Sequence, residues 1–303
     1  MTGTQDIGDW MKGVQSRMEQ ALAAYLPPEI EVPARLHQAM RYAALDGGKR
    51  IRPLLAFAAG DLFHANAEAL ARVAAAVEMI HVYSLVHDDM PCMDDDELRR
   101  GKPTVHVKFD EATALLVGDA LQAQAFLVLS ELGEAMSDGD AARRSLAMIR
   151  VLAHAAGSCG MCGGQAIDLE SVGITLSLAE LEQMHRLKTG ALLRASVLLG
   201  ALAGKALTAA ETAALDAYAG AIGLAFQVVD DVLDATADSA TLGKTAGKDA
   251  AANKPTYVSI LGLEESRVLA EKLRNDAHAA LAPFGDGARR LRELADLIVQ
   301  RKA

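Results

Sequence analysis

Aromatic residues make up only 4% of this 303-residue chain: one Trp, five Tyr and six Phe. That scarcity works against a β-rich fold, whose strands lean on branched and aromatic side chains. The apolar content is nevertheless 51%, carried mainly by Ala, Leu, Val, Ile and Met, and apart from Val and Ile these are good helix formers. Cys92, Cys159 and Cys162 are too few for a disulfide framework in a chain this long, and they suit a reducing compartment. A positive surplus is also missing, since 30 Lys and Arg stand against 40 Asp and Glu for a net charge of −10. A nucleic-acid partner is therefore not expected, whereas a small anion needs only a local basic site. No run of about 18 uninterrupted apolar residues occurs, so no membrane span is expected. The opening MTGTQDIGDWMKG lacks the basic-then-apolar pattern of a signal peptide. These absences point to a soluble, cytoplasmic, all-α protein.

Helical periodicity runs through nearly every long segment. Val73, Val77, Ile80, Ser84 and Asp88 recur every three or four residues on one face of a helix opened near Asn66. Similar patterns predict helices over 4–25, 34–46, 51–63, 109–133, 140–157, 177–203, 208–236, 264–281 and 287–301. Breakers fall between them at Pro27-Pro28, Pro33, Gly47-Gly48, Gly101 with Pro103, Gly163-Gly164 and the stretch from Gly243 to Pro255. With no convincing strand alternation and no Pro/Gly/Ser-rich linker, the chain reads as one helical domain over 1–303.

Two acidic clusters stand out. The first lies in HVYSLVHDDMPCMDDDELRRGKPTVH, where Asp88, Asp89, Asp94, Asp95 and Asp96 crowd the end of an apolar helix. Carboxylates this dense repel one another unless cations neutralise them, and oxygen-only donors suit hard cations such as Mg²⁺. Arg99 and Arg100 follow at once, and guanidinium forks match phosphate oxygens. Taken alone, the run also fits a solvated acidic loop balanced by its arginines. The second cluster is FQVVDDVLD, in which Asp234 lies four residues after Asp230 and three after Asp231, with Gln227 a turn earlier on the same face. Lys244, Lys248 and Lys254 follow in a Gly- and Ala-rich stretch. An exposed helix face explains this cluster equally well by itself. The pair, each ending an apolar helix and trailed by basic residues, points to a metal-bridged polyphosphate site between two helices. Asp88 and Asp94 are six apart with Pro91 between them, so the helix must break there for both to reach a metal.

In order along the chain, GGKRIRP (Gly47 to Pro53), the first aspartate cluster with LRRGKPT, MCGGQAIDL, the Lys188-Thr189 pair, FQVVDDVLD and the lysine-bearing tail resemble the trans-isoprenyl diphosphate synthases, and among them the bacterial farnesyl diphosphate synthases. The resemblance implies an isoprenoid synthase fold, a bundle of ten or more helices around a central cavity, and a homodimer. It also implies substrates and sites. Isopentenyl diphosphate would bind through Gly48, Lys49, Arg52, His81 and Arg100. Magnesium, three ions per active site, would sit on Asp88, Asp94, Asp230 and Asp234 and bridge to the allylic diphosphate. Arg99, Lys188, Thr189, Gln227, Lys244 and Lys254 would surround that diphosphate. Asp88, Asp89, Asp94, Arg99, Lys188, Asp230 and Asp231 would carry catalysis.

The implied reaction is ionisation of the allylic diphosphate, condensation with isopentenyl diphosphate and loss of a proton. Metal and basic groups would stabilise the departing diphosphate, and water would be kept out. Tyr83 and Ser84, five and four residues before the first aspartate, together with the insertion Pro91-Cys92, would set a fifteen-carbon product in isoprenoid biosynthesis. Geranylgeranyl or longer products are the alternative, followed by a non-catalytic helical partner subunit. Cys159 and Cys162 form a lone CxxC with neither a second pair for zinc nor a βαβ context for redox chemistry, and are expected to be small residues packed at a helix junction.

Overall fold

A computed structural model describes residues 6–45, 47–135, 139–236 and 255–301. The expectations for Lys244, Lys248 and Lys254 lie outside these residues. The chain is all-α, and its contacts cluster into two compact units, Met1–Arg150 with Leu199–Lys205, and Val151–Leu198 with Ala206–Ala303.

The first unit contains α1 (Ile7–Tyr25), α2 (Ala34–Ala44), α3 (Ile51–Leu62), α4 (Ala67–Asp88), α5 (Val105–Lys108), α6 (Glu111–Ser130), α7 (Leu132–Ala135) and the start of α8 (Ala141–Ala156). Its axis is α4. Asn66 caps this helix by accepting from the Glu68 and Ala69 N–H groups, as its sequence position suggests. Ala69, Val73, Val77, Ile80 and Val86 are buried where α4 packs against α1, α2, α3 and α6. Between α4 and α5 stand two strands of two residues each, β1 (Leu98–Arg99) and β2 (Lys102–Pro103), paired antiparallel with Arg99 opposite Lys102. No strand was expected, because two-residue strands are too short to show alternation.

The second unit contains α9 (Met161–Glu170), α10 (Leu178–His185), a π turn (Arg186–Gly190), the start of α11 (Ala191–Gly204), α12 (Ala209–Thr236), α13 (Tyr257–Leu261), α14 (Leu263–Ala280), a 3₁₀ segment (Ala282–Ala288) and α15 (Arg289–Gln300). Here α12 is the axis, packed on α14, α15 and the π turn. Its buried Tyr218 hydroxyl donates to the Leu291 carbonyl at 2.6 Å.

Two readings need correcting. Gly163-Gly164 is not a break but lies inside α9, for a packing reason given below. Cys159 and Cys162 are exposed free thiols. The close packing at that junction belongs to their neighbours, since a Cβ on Gly160 would lie 2.3 Å from the Ala155 carbonyl oxygen. Among the described residues five helical stretches, including α4, α6 and α12, are long and apolar enough to cross a membrane by length and composition alone. They tolerate scattered charges, which a search for uninterrupted apolar runs does not count.

Candidate active site

The break that the Asp88–Asp94 spacing requires is present. α4 ends at Asp88, and the chain turns so tightly that the Asp94 N–H donates to the Asp88 carbonyl at 2.8 Å. Further bonds tie Met93 and Asp95 N–H to the Met90 carbonyl and Asp96 N–H to the Asp89 carbonyl. Asp95 takes a left-handed φ of 49° to close the loop, a conformation Asp accepts more readily than most residues. The inserted Pro91 and Cys92 are exposed. The backbone of Asp94 is thus folded back on that of Asp88 although six positions separate them.

Asp89 plays a different part. It is 3% exposed, and Arg99 Nε donates to both its carboxylate oxygens at 2.8 Å. Burial pushes its carboxyl above the usual carboxylate range while the Arg99 fork pulls it down. The hairpin accounts for Arg99 being there. Its central residues, Arg100 and Gly101, have φ of 52° and 74°, as a two-residue type I′ turn demands. The turn sends Arg99 to Asp89 and Arg100 the other way, where its Nη1 donates to the Gly47 carbonyl at 2.8 Å. Gly48, at φ 110°, lies so close that a Cβ there would sit 2.5 Å from Arg100 Nη1.

Between Lys49 and Arg52 sits a residue that sequence reasoning missed. Arg50 is 3% exposed and donates to Glu78 at 2.6 Å, to Glu19 at 2.6 Å and to the Ala44 carbonyl at 2.7 Å. It pins the loop between α2 and α3 to α1 and α4, leaving Lys49 exposed. Its signal was Glu78, a lone carboxylate in the apolar run of α4. His81, on the next turn, is held well below the ordinary histidine range by burial and by the guanidiniums of Arg52, Arg100, Arg99 and Arg50. It is therefore neutral at physiological pH. Tyr83 is buried with its ring edge-on to His87, centroids 5.8 Å apart. The Ser84 hydroxyl donates to the His81 carbonyl.

In the second unit, Lys188 and Thr189 lie in the π turn, where an i→i+5 register shifts the direction of side chains relative to an α-helix. Such turns recur at functional sites. A Cβ on Gly164 would come within 2.1 Å of the Lys188 backbone nitrogen, so α9 meets the π turn backbone to backbone and glycine is required there. One turn on, Asp168 pairs with Lys188 Nζ at 2.5 Å. Thr189 donates to Gln227 Oε1 at 3.0 Å.

The second aspartate cluster divides its tasks. Asp230 accepts from Arg301 at 2.6 Å, and Arg301 also lies 4.0 Å from the Phe226 ring centroid. Asp231 is buried at 7% exposure and accepts the Tyr257 N–H at 2.7 Å. Asp234 is half-buried, and its Oδ1 has no hydrogen-bond partner among the described residues. Arg301, Tyr257 and Asp168 were not singled out from sequence. Only Asp168 carried a local hint, as the one aspartate of MCGGQAIDL.

An all-α chain whose aspartate-rich helix ends are met by arginines, Arg99 at Asp89 and Arg301 at Asp230, fits the isoprenoid synthase class. The polyprenyl synthetase model matches residues 33–282. The chain belongs to that family and is a prenyltransferase that elongates prenyl diphosphates. It is 54% identical over 288 residues to a probable farnesyl diphosphate synthase of Bradyrhizobium diazoefficiens, covering 94% of this chain and 85% of that one. Among solved structures, an apo FPP/GFPP synthase from Zymomonas mobilis is 44% identical with a TM-score of 0.86, covering 97% and 98% of the two chains. A geranyltransferase from Helicobacter pylori, complexed with magnesium and isoprenyl diphosphate, is 32% identical with a TM-score of 0.82 and 98% coverage of both.

Proposed function

We propose that this chain condenses isopentenyl diphosphate with dimethylallyl and then geranyl diphosphate, head to tail, to give farnesyl diphosphate. The observation that carries the reading is the turn folding Asp94 back on Asp88, with Arg99 and Arg100 delivered beside it by one hairpin. The donor set fits magnesium. Among the described residues no three His, Cys, Asp or Glu side chains gather into a protein-only cage, and a cation that takes one or two carboxylates plus phosphate oxygens needs none. The magnesium named for the H. pylori relative supports the same cofactor here; three ions per site, held by Asp88, Asp94, Asp230 and Asp234, complete the proposal. Bound magnesium would neutralise charge developing on the departing diphosphate.

The protein's own groups do the rest. Arg99, oriented by Asp89, and Lys188, oriented by Asp168, would hold the allylic diphosphate with Thr189 and Gln227. Lys49, Arg52, Arg100 and neutral His81 would bind isopentenyl diphosphate, with Gly48 leaving room for the Arg100 guanidinium. Tyr83, buried at its place on α4, and Ser84 would limit the product to fifteen carbons. The family model, drawing on residues of both units, supports reading 1–303 as one polyprenyl synthase domain.

A cytoplasmic homodimer without membrane span or nucleic-acid partner completes the reading. Leu116 and Leu127, three turns apart on one face of α6, are 53% and 52% exposed, and Leu146 on α8 is 67% exposed. Apolar exposure of this kind suits a covered surface. The decisive assay supplies purified protein with Mg²⁺, isopentenyl diphosphate and each allylic primer. A fifteen-carbon product is expected. A twenty-carbon or longer one favours a geranylgeranyl or other-length prenyl diphosphate synthase, and no elongation with any primer refutes the function.

A further inference from the structure

Behind Lys188 and Thr189 three side chains stand in a row that the reaction does not itself require. Asp231, buried in α12, accepts the Tyr257 N–H at the start of α13. The Tyr257 ring is 0% exposed and lies stacked on the His185 imidazole, with centroids 5.5 Å apart and planes 22° apart. His185 is the last residue of α10 before the π turn. From the far side of that turn Thr189 bonds Gln227, one helical turn before Asp231 on α12. The contacts close a circuit through α12, α13, α10, the π turn and α12 again.

Two features make this more than packing. A carboxylate accepting a short, buried backbone N–H bond is a directional anchor, and Asp231 is buried where Asp230 and Asp234 are more open. Both His185 ring nitrogens and the Tyr257 hydroxyl lack hydrogen-bond partners among the described residues. Buried polar atoms left that way are costly, so stability alone does not explain these residue types. The contact they do make is ring on ring.

We propose that Asp231 is a positioning residue and not a metal ligand: it sets Tyr257, whose ring, with His185, fixes the π turn that aims Lys188 and Thr189 at the allylic diphosphate.

The kinetic half of the test rests on the function proposed above, and the binding half does not. Calorimetric binding of inorganic diphosphate is measured as Mg²⁺ is varied. Asp231→Asn, which keeps an acceptor oxygen for the Tyr257 N–H, should leave half-saturating Mg²⁺ within about twofold of wild type, whereas Asp230→Asn should raise it about tenfold. Tyr257→Ala, a second variant that removes no carboxylate, should likewise leave it in place. In the kinetic half, His185→Ala should raise KM for the allylic diphosphate about tenfold and that for isopentenyl diphosphate by less than about twofold. His185→Phe, which keeps the stacked ring, should restore the wild-type KM. A generally weakened fold would not split the two KM values or respond to ring replacement. The proposal is overturned if Asp231→Asn shifts the Mg²⁺ requirement as far as Asp230→Asn, or if folded His185→Ala leaves the allylic KM unchanged. Should wild type elongate no primer, the reaction fails as a reading while the Mg²⁺ titration still decides Asp231.

Discussion

His185 gives the sharpest quantitative prediction. Its imidazole is buried beside Tyr257, and burial, with Lys188 opposing and Asp168 favouring the charge, lowers its pKa from 6.5 to about 4. In the unfolded chain the ring titrates near its ordinary value. Between those two pKa values the unfolded state binds the extra proton, so stability rises with pH across the window and falls as the solution is acidified. Above pH 7 both states are neutral and the contribution vanishes. Lowering from 6.5 to about 4 destabilises the fold by about 3 kcal/mol once pH is below 4, and by about 2 kcal/mol at pH 5.

Replacing the ring by an uncharged one of similar shape isolates this term from the many carboxylates that also titrate. His185→Phe should match or exceed wild-type stability at pH 7.5, because it removes two buried nitrogens that have no hydrogen-bond partner among the described residues. Its advantage should then grow by about 2 kcal/mol on going to pH 5. Urea titrations followed by circular dichroism at both pH values measure the difference. Parallel loss of stability by the two proteins would falsify the assignment of a depressed pKa to His185.

Other substitutions test the remaining parts of the site. Gly48→Ala forces a Cβ onto Arg100 at a φ of 110° and should cost about 1–3 kcal/mol, with KM for isopentenyl diphosphate rising before that for the primer in steady-state assays. Glu78→Leu leaves the Arg50 guanidinium buried without its buried carboxylate partner and should cost about 3–5 kcal/mol in chemical denaturation. Adding Arg50→Leu should recover much of that loss, because the buried charge goes too. Gly164→Ala pushes against the Lys188 backbone and should destabilise by about 1–3 kcal/mol, with kcat falling more than in an exposed α9 variant such as Ala166→Gly. Tyr83→Ala should lengthen the product, read by chromatography of the dephosphorylated prenols, and an unchanged fifteen-carbon product would remove Tyr83 from the chain-length role.

Helices were legible in the sequence wherever a period of three or four persisted, as in α4, α12 and α14, because burial of one face leaves that imprint. What was illegible shares a physical cause: it depends on close approach between segments distant in sequence. Gly163-Gly164 reads locally as a helix breaker, and only the π turn lying against Gly164 makes glycine a packing residue inside α9. The π turn itself leaves no mark, since one residue of altered register does not disturb the apolar period of residues 177–203. The aspartate clusters show the same division. Charge repulsion and the proline between Asp88 and Asp94 were enough to require a break in α4, because both are local. That Asp230, Asp231 and Asp234 do different things was hidden, since spacing alone assigns three carboxylates to one face and cannot say that a backbone N–H 26 positions away meets one of them. A cluster identified by residue type is therefore better divided by burial, and burial here separates Asp89 and Asp231, each held by a donor inside its own unit, from the more open Asp88, Asp94, Asp230 and Asp234. The four open carboxylates are those proposed to hold magnesium, while in the first unit Asp89 holds Arg99 and in the second Asp231 holds the Tyr257 N–H.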